Sequence, residues 1–275
     1  MDSRHGGSRT GRTDLHRTNI IPAKVTGEVQ VVPTLNAAGL FTAWERGLSQ
    51  APVQRALMLL AMAWPERSVD EWAQTIIGER DEHLLRLRDE VFGSKVEAFT
   101  ACAACGERLA ISFTTESIRA KPAQPKVRDG RFALKADGFE VSYRLPNSAD
   151  LIAVLESDQS DNRNILLKRC VDASKKNKSI DPARLPERIV QLISESMSDA
   201  DPQADLRIEL KCPACRHERS IVFDILSYLW SEIDDWARRL LNEIHVLASA
   251  YGWSEAEIIS LSARRRNLYM QMIEA

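Results

Sequence analysis

Two short stretches of the same design decide the fold: CAACGERLAISF at residues 102–113 and CPACRHERSIVF at residues 212–223. Each begins with a Cys-x-x-Cys pair, passes through a charged turn, and continues with alternating apolar and polar residues, which is the period of a strand. Apolar residues also alternate into the second pair, at Leu206, Ile208 and Leu210. Each pair is therefore predicted to lie in the turn of a β-hairpin.

The cysteines of the two pairs are predicted to bind one structural zinc ion per chain. A Cys-x-x-Cys turn presents two thiolates from one tight bend, and two such turns complete a tetrahedral shell. Between the pairs lie 106 residues, but the matching flanks favour a shared site, and an insertion between hairpins is tolerated when its ends leave from neighbouring strands. The predicted arrangement is a split zinc ribbon. The predicted ligands are Cys102, Cys105, Cys212 and Cys215.

Other uses of the cysteines have less support. Tetrahedral thiolates also suit iron, and the spacing does not separate iron from zinc. A redox-active pair would need a strand-to-helix context, which neither pair has. Four thiolates leave no open position for water, so a catalytic metal is not expected. His217 is predicted to face solvent, and Cys170 to pack in a core.

Changes of hydrophobic period along the chain indicate an α+β fold that is predominantly helical, with an α+β insertion inside the split ribbon and helices on either side. The insertion carries a hairpin turn at Asp137-Gly138 and helices near residues 165–171 and after Pro186. The predicted divisions are a flexible basic arm (1–33), a helical subdomain (34–94), the ribbon (95–115 with 205–226), the insertion (116–204) and C-terminal amphipathic helices (227–275).

Local signals also mark helix and strand ends. Serine and glutamate three residues apart, at Ser68 and again at Ser254, match the capping box that opens a helix. Gly252 is predicted to end the long amphipathic helix before it. The strand that leaves the second cysteine pair is predicted to run through Ile225. Glu232, Asp234 and Asp235 are predicted to lie on the solvent face of the long helix.

Composition limits the function. The chain has 275 residues, 44% of them hydrophobic and 28% charged, and a net charge of −2, which gives no general attraction to nucleic acid or anionic membranes. No apolar run approaches the roughly 20 residues of a membrane helix, and no signal peptide is visible, so we expect a cytoplasmic protein. The usual nucleotide-binding, hydrolase and metalloprotease motifs are absent, and we predict neither enzymatic activity nor a small-molecule substrate.

Aromatic and arginine residues are concentrated near the C-terminus, and core packing is the default interpretation of the aromatic ones. They are also the residue types that most often anchor protein contacts. The candidate partner interface comprises Trp230, Trp236, Tyr251, Trp253, Arg264, Arg265, Arg266 and Tyr269. A zinc ribbon that binds nucleic acid is the alternative, favoured by the basic arm and the arginine triplet and opposed by a pI of about 6.3.

Several segments resemble the baseplate hub or hub-assembly proteins of contractile phage tails and of phage-tail-like contractile injection systems. They are MLLAMAWPERSVDEWA (58–73), GERDEHLLRLRDEVFG (78–93), VSYRLPNSADLIAV (141–154) and EIDDWARRLLNEIHVLASAYGWSEAEIISLSARRRNLYMQMI (232–273), together with the split cysteine pairs. The resemblance implies a protein that builds or joins a baseplate, with other baseplate or hub proteins as partners. It supplies no catalytic residues.

Overall fold

The structure, a computed structural model, describes residues 35–120, 130–157 and 161–274. The predicted arm at residues 1–33 lies outside these ranges, as do residues 121–129 near the start of the predicted insertion. Within them helix predominates over strand, and the mixture of helix and sheet agrees with the predicted class. In the described part of the chain, no helix is long and apolar enough to cross a bilayer.

Helices form the first and last parts of the described chain, and in between strand pairs alternate with single helices or pairs of helices. The helices are α1 (Ala37–Gly47), α2 (Pro52–Ala63), α3 (Val69–Gln74), α4 (Ile77–Phe92), α5 (Thr115–Ile118), α6 (Ser148–Leu155), α7 (Asn162–Cys170), α8 (Glu187–Ala200), α9 (Ile225–Tyr251), α10 (Glu255–Ser260) and α11 (Ala263–Glu274). The strands are β1 (Lys95–Ala101), β2 (Arg108–Thr114), β3 (Phe132–Ala136), β4 (Phe139–Tyr143), β5 (Val171–Lys175), β6 (Lys178–Ile180), β7 (Arg207–Lys211) and β8 (Glu218–Val222).

Helices α1 to α4 pack with α9 and α10 around the larger of two main cores. Leu60, Trp72, Leu85 and Ile233 are all 0% exposed within it, because each helix turns one apolar stripe toward its neighbours. The capping box that opens α3 is present: Ser68 Oγ accepts from the amide of Glu71, whose carboxylate accepts from the amide of Ser68 at 2.7 Å.

The chain between the two cysteine hairpins builds a second core of its own. Strands β3 to β6 form an antiparallel sheet in the order β3-β4-β5-β6, and α7 and α8 contribute the residues that cover one face. The predicted turn at Asp137 and Gly138 is present, with φ of 51° and 76°. Tyr143 and Ile189, at 1% and 0% exposed, lie in this second core.

Two local predictions need correction, and one hairpin was missed. Val171 belongs to strand β5, because α7 ends at Cys170. Strand β8 ends at Val222, and Ile225 is the first residue of α9. The side chain of Asp224 caps this helix by accepting hydrogen bonds from two amides of its first turn. The β5–β6 hairpin was not predicted, since its turn residues Lys176 and Asn177 adopt positive φ (49° and 59°) without a glycine to signal it.

The end of α9 and the start of α10 lie where the sequence indicates. Gly252 adopts a left-handed conformation with φ of 68°, and its amide donates to Ala248 at 2.9 Å, closing α9. The capping box of Ser254 and Glu257 then opens α10. Ser262 Oγ accepts from the amide of Arg265 at 3.3 Å in the first turn of α11.

Candidate metal centre

The four cysteine sulfurs of the two hairpins meet at one point. All four lie within 4.8 Å of one another. The sulfurs of Cys102 and Cys215 are 3.7 Å apart, as are those of Cys105 and Cys212, so both short separations join one hairpin to the other. A regular tetrahedron with metal–sulfur bonds of about 2.3 Å has edges of about 3.8 Å. The donor set therefore fits a tetrahedral thiolate site, and all of these cysteines are free of disulfide bonds.

Both hairpin turns have the same backbone geometry. In the first, the amide of Gly106 donates to the carbonyl of Cys102 at 2.9 Å, and the amide of Cys102 donates to Glu107 at 2.8 Å. In the second, the backbone amide of Arg216 donates to the carbonyl of Cys212 at 2.9 Å. Strands β1 and β2 pair antiparallel on one side, and β7 and β8 do so on the other. The repeated sequence pattern thus produces two equivalent turns that face each other.

The residue after each second cysteine has a positive φ, and only one of the two is glycine. Gly106 has φ of 77° and Arg216 has φ of 62°. A Cβ on Gly106 would meet no atom within 4 Å, so replacing it tests backbone conformation alone. A left-handed conformation costs a residue with a Cβ about 1 to 2 kcal/mol, whereas a glycine costs about 0.5 to 1 kcal/mol in chain entropy.

We therefore expect opposite effects from two substitutions. Gly106→Ala should lower the free energy of unfolding by about 1 kcal/mol, and Arg216→Gly should raise it by about 0.5 kcal/mol. Urea unfolding of the zinc-loaded protein measures both. If Arg216→Gly instead lowers the free energy of unfolding as much as Gly106→Ala does, the expectation is contradicted. The contacts of the Arg216 side chain would then stabilise the fold by more than its left-handed backbone conformation destabilises it.

The pKa values of Cys102 and Cys105 are shifted in opposite directions. The amides of Cys105 and Ala104 donate to the sulfur of Cys102 and lower its pKa to about 6. For Cys105 the amide of Glu107 also acts to lower the pKa, but the three neighbouring thiols outweigh it and raise the pKa to about 12. Removing each further proton from the four thiols therefore requires more free energy than removing the one before, because the thiolate charges repel one another. A bound cation would neutralise these charges.

Each hairpin supplies one buried and one exposed cysteine. Cys102 and Cys212 are 4% and 1% exposed and form a small cluster with Leu109. Cys105 and Cys215 are exposed. His217 is exposed as predicted, and the sulfur cluster is complete without it. Cys170 is also where it was predicted, 2% exposed within the core of the insertion.

Aromatic side chains join the two hairpins to each other and to α9. Phe113 of β2 and Phe223, the residue after β8, meet edge to face with ring centroids 5.4 Å apart. Tyr228 of α9 donates its hydroxyl to the carbonyl of Glu97 in β1 at 3.0 Å, and its ring lies 5.3 Å from that of Phe223. The hairpin pair therefore rests on the start of α9.

Two of the three carboxylates of α9 that were predicted to face solvent are instead engaged with other helices, whereas the third, Asp235, is exposed as predicted. Glu232 accepts from Arg88 of α4 at 2.9 and 2.8 Å, and the Arg88 side chain, only 2% exposed, also donates to the carbonyl of Lys95 where β1 begins. Asp234 accepts from the indole N–H of Trp44 at 2.8 Å. The solvent-face prediction is wrong for Glu232 and Asp234, because polar partners on neighbouring helices cannot be read from the period of one helix.

The insertion is joined to the helical core by polar side chains of the segment VSYRLPNSADLIAV. Arg80 of α4, only 3% exposed, donates to Ser148 Oγ at 3.1 Å. The amide of the Asn147 side chain donates to Gln74 Oε1 at 3.0 Å. Buried polar groups with satisfied partners of this kind fix one arrangement of two packed units. The sequence showed this segment as a family feature but gave no sign of its partners.

Most of the predicted interface aromatics pack on their own chain. Trp230 lies partly buried under the guanidinium of Arg55, whose carbon is 4.3 Å from the ring centroid. Trp236 meets Phe41 of α1 edge to face at 6.4 Å. The default of core packing is therefore correct for the first half of α9.

Near the C-terminus, three rings form one cluster. Tyr251 stacks on Trp253 at 4.7 Å, and Tyr269 contacts both of them from α11. Arg266 differs from the other two arginines of its triplet: it is 5% exposed and its Nε donates to Glu243 at 2.6 Å. Arg266 is therefore removed from the candidate interface, because its guanidinium is buried and already bonded within the chain.

Residues 65–230 match the model of a family described as "T4 bacteriophage base plate protein". The match covers more than half of the 275 residues, and the chain therefore belongs to this baseplate family. The predicted family resemblance is confirmed. Membership indicates a structural protein of a phage baseplate that contacts other baseplate proteins. No curated protein and no solved structure matches the chain.

Proposed function

We propose that this chain is a non-enzymatic structural or assembly protein of a contractile tail baseplate, in a phage or a phage-tail-like injection system, stabilised by one zinc ion. Family membership over residues 65–230 carries the proposal. The partners would be other baseplate or hub proteins. We propose that the protein acts in the cytoplasm of the producing cell or in the assembled tail particle. We also propose that the chain is divided into the five parts predicted from the sequence.

The metal would act as a cross-link and not as a catalyst. Isolated two-stranded hairpins are marginally stable, and here the buried cluster between the two hairpins consists of Cys102, Leu109 and Cys212 alone. Zinc held by the four cysteines would supply the missing stabilisation, and its full thiolate shell would leave no position to activate water. The thiolates suit iron as well, and we infer zinc because a site that only cross-links two hairpins has no use for a metal that changes oxidation state, and zinc does not change it.

Metal content and partners test the two halves of this proposal together. We expect protein purified from cells that express the whole tail cluster to contain about one zinc per chain by mass spectrometry and to co-purify with baseplate subunits. Zinc-containing protein that carries nucleic acid and no tail proteins would support the zinc-ribbon nucleic-acid alternative. Protein with neither metal nor tail partners would contradict the proposal.

A further inference from the structure

Helix α11 turns apolar side chains toward solvent. Leu268 and Met272 are 48% and 66% exposed. They lie four residues apart, and Arg264 lies four residues before Leu268, so the three share one face of the helix. We call Arg264, Leu268 and Met272 the outer stripe. Burying a leucine and a methionine would stabilise a complex, and no residue in the described ranges buries them.

The opposite face of α11 already attaches the helix to the chain. Arg266, about half a turn from Leu268, is buried and donates to Glu243 and to the carbonyl of Leu261 at 2.7 Å. Met270 and Tyr269 pack against the larger core. The outer stripe is therefore not required to hold α11 in place.

Exposed apolar residues are more concentrated here than elsewhere. Among the described residues, large hydrophobic side chains that are exposed elsewhere occur singly, at Leu48, Val69, Phe99, Leu155, Val222 and Leu241. In contrast, Tyr251 (39%), Leu268, Met272 and Ile273 (37%) all lie between the end of α9 and the end of α11. Single exposed hydrophobic residues are ordinary, but a cluster of them marks an interaction surface.

Charge defines the chemistry of the occupant. Arg264 and Arg265 are exposed, and neither forms an ion pair with any residue in the described ranges. Arginines beside an apolar stripe favour a partner that presents carboxylates. A second copy of α11 offers only Glu274 as an acidic residue, so a different chain fits better.

We propose that the outer stripe inserts into an apolar groove, bordered by carboxylates, on another baseplate protein. This rests on the proposed function and names the kind of partner surface. The geometry is that of a helix in a groove, with anchors four residues apart. Methionine suits such a contact because its flexible side chain adapts to the groove. The stripe lies after residue 230, outside the part of the chain that matches the family.

Leu268→Glu tests the stripe, with Leu155→Glu as its matched control. Leu155 is 62% exposed at the end of α6, so the same change there places the same charge on a different surface. In cells expressing the whole tail cluster, we expect Leu268→Glu to reduce incorporation into baseplate assemblies by at least about 30-fold, the effect of losing a central interface anchor. Leu155→Glu should be incorporated normally. Thermal unfolding of both variants should match the unsubstituted protein.

A photo-crosslinking residue at position 272 tests the partner chemistry. We expect its crosslinks to reach a baseplate protein, at a peptide that combines apolar residues with aspartate or glutamate. Crosslinks only to a second copy would overturn the proposal, as would normal incorporation of Leu268→Glu while the unsubstituted chain is incorporated. Absence of the unsubstituted chain from every baseplate assembly would instead overturn the proposed function itself, together with the stripe.

Discussion

Replacing Cys212 with serine is expected to abolish metal binding and to unfold the hairpin pair. Cys212 is 1% exposed and its sulfur lies 3.7 Å from that of Cys105 on the other hairpin. A serine oxygen is a poor ligand for a site of soft thiolates, and three remaining sulfurs bind zinc far more weakly than four. Because structural zinc binding is coupled to folding, the binding free energy lost is stability lost.

The measurement is zinc per chain by mass spectrometry, beside thermal unfolding followed by circular dichroism. We expect about one zinc in the unsubstituted protein, little or none in Cys212→Ser, and a transition that is broader and at least about 10 °C lower. Cys215→Ser separates the effect of losing zinc from the effect of burying a hydroxyl group. Cys215 is exposed, and an exposed serine hydroxyl has no desolvation cost. It should lose zinc as fully as Cys212→Ser and destabilise slightly less.

Cys170→Ser is the control for removing a thiol. Its sulfur lies in the core of the insertion, 3.5 Å from Asp150, and outside the four-cysteine cluster. It should retain the full zinc content. Retention of zinc by Cys212→Ser would contradict a site shared by the two hairpins, and visible absorbance in the purified protein would indicate iron in place of zinc.

The local part of this structure is predictable from sequence because its causes are local. Cys-x-x-Cys pairs, the capping box at Ser68, the Asp137-Gly138 turn and the glycine that ends α9 each act within a few residues. The meeting of sulfurs across 106 residues was predictable for another reason: the two hairpins repeat one design, and a half shell of ligands requires a second half.

Interactions that depend on distant partners could not be predicted in this way. The period of α9 places Glu232 on its polar side but does not reveal Arg88 on α4. In the sequence, Arg266 is one of three equivalent arginines, and only the structure shows that it pairs with Glu243. The Lys176-Asn177 turn lacks the glycine that signals such turns, although asparagine tolerates a positive φ better than most residues.

The second large effect is expected from Asp150→Asn. The carboxylate of Asp150 is 0% exposed and accepts five hydrogen bonds: two from Arg144 at 2.6 and 2.8 Å, one from Arg169 at 2.7 Å, one from the amide of Asn147 at 3.0 Å, and one from the thiol of Cys170 at 3.5 Å. Asparagine keeps the shape, removes the charge, and turns an NH₂ group toward donors. Breaking a buried ion pair costs about 3 to 5 kcal/mol.

We expect a loss of about 3 kcal/mol, at the lower end of that range. Arg144 and Arg169 are 29% and 40% exposed, so water can solvate both guanidinium groups once the carboxylate is gone. Urea unfolding measures the loss. Asp172→Asn is the matched control, because Asp172 pairs with Arg131 but is 80% exposed, and exposed pairs contribute about 0 to 1 kcal/mol.

The loss should depend on pH in a direction fixed by the pKa of Asp150. Burial acts to raise this pKa, but the hydrogen bonds from Arg144, Asn147 and Arg169 outweigh it and hold the pKa well below the ordinary value of 3.8. A carboxyl group whose pKa is depressed by folding contributes its full stability above the unfolded pKa and loses it as the pH falls toward the folded pKa. The difference between the two proteins should therefore be constant from about pH 5 to 7 and shrink below about pH 4.

Hydrogen exchange would show where this stability acts. Asp150 holds the start of α6 to β4 and α7, next to Asn147 and Ser148, which contact the helical core. Removing its charge should therefore increase exchange first within the insertion, while α2 and α9 keep their protection, since local units open before the whole chain does. Equal acceleration in both cores would instead mean that the insertion and the helical core unfold as one unit, and that the Asp150 network stabilises the entire fold.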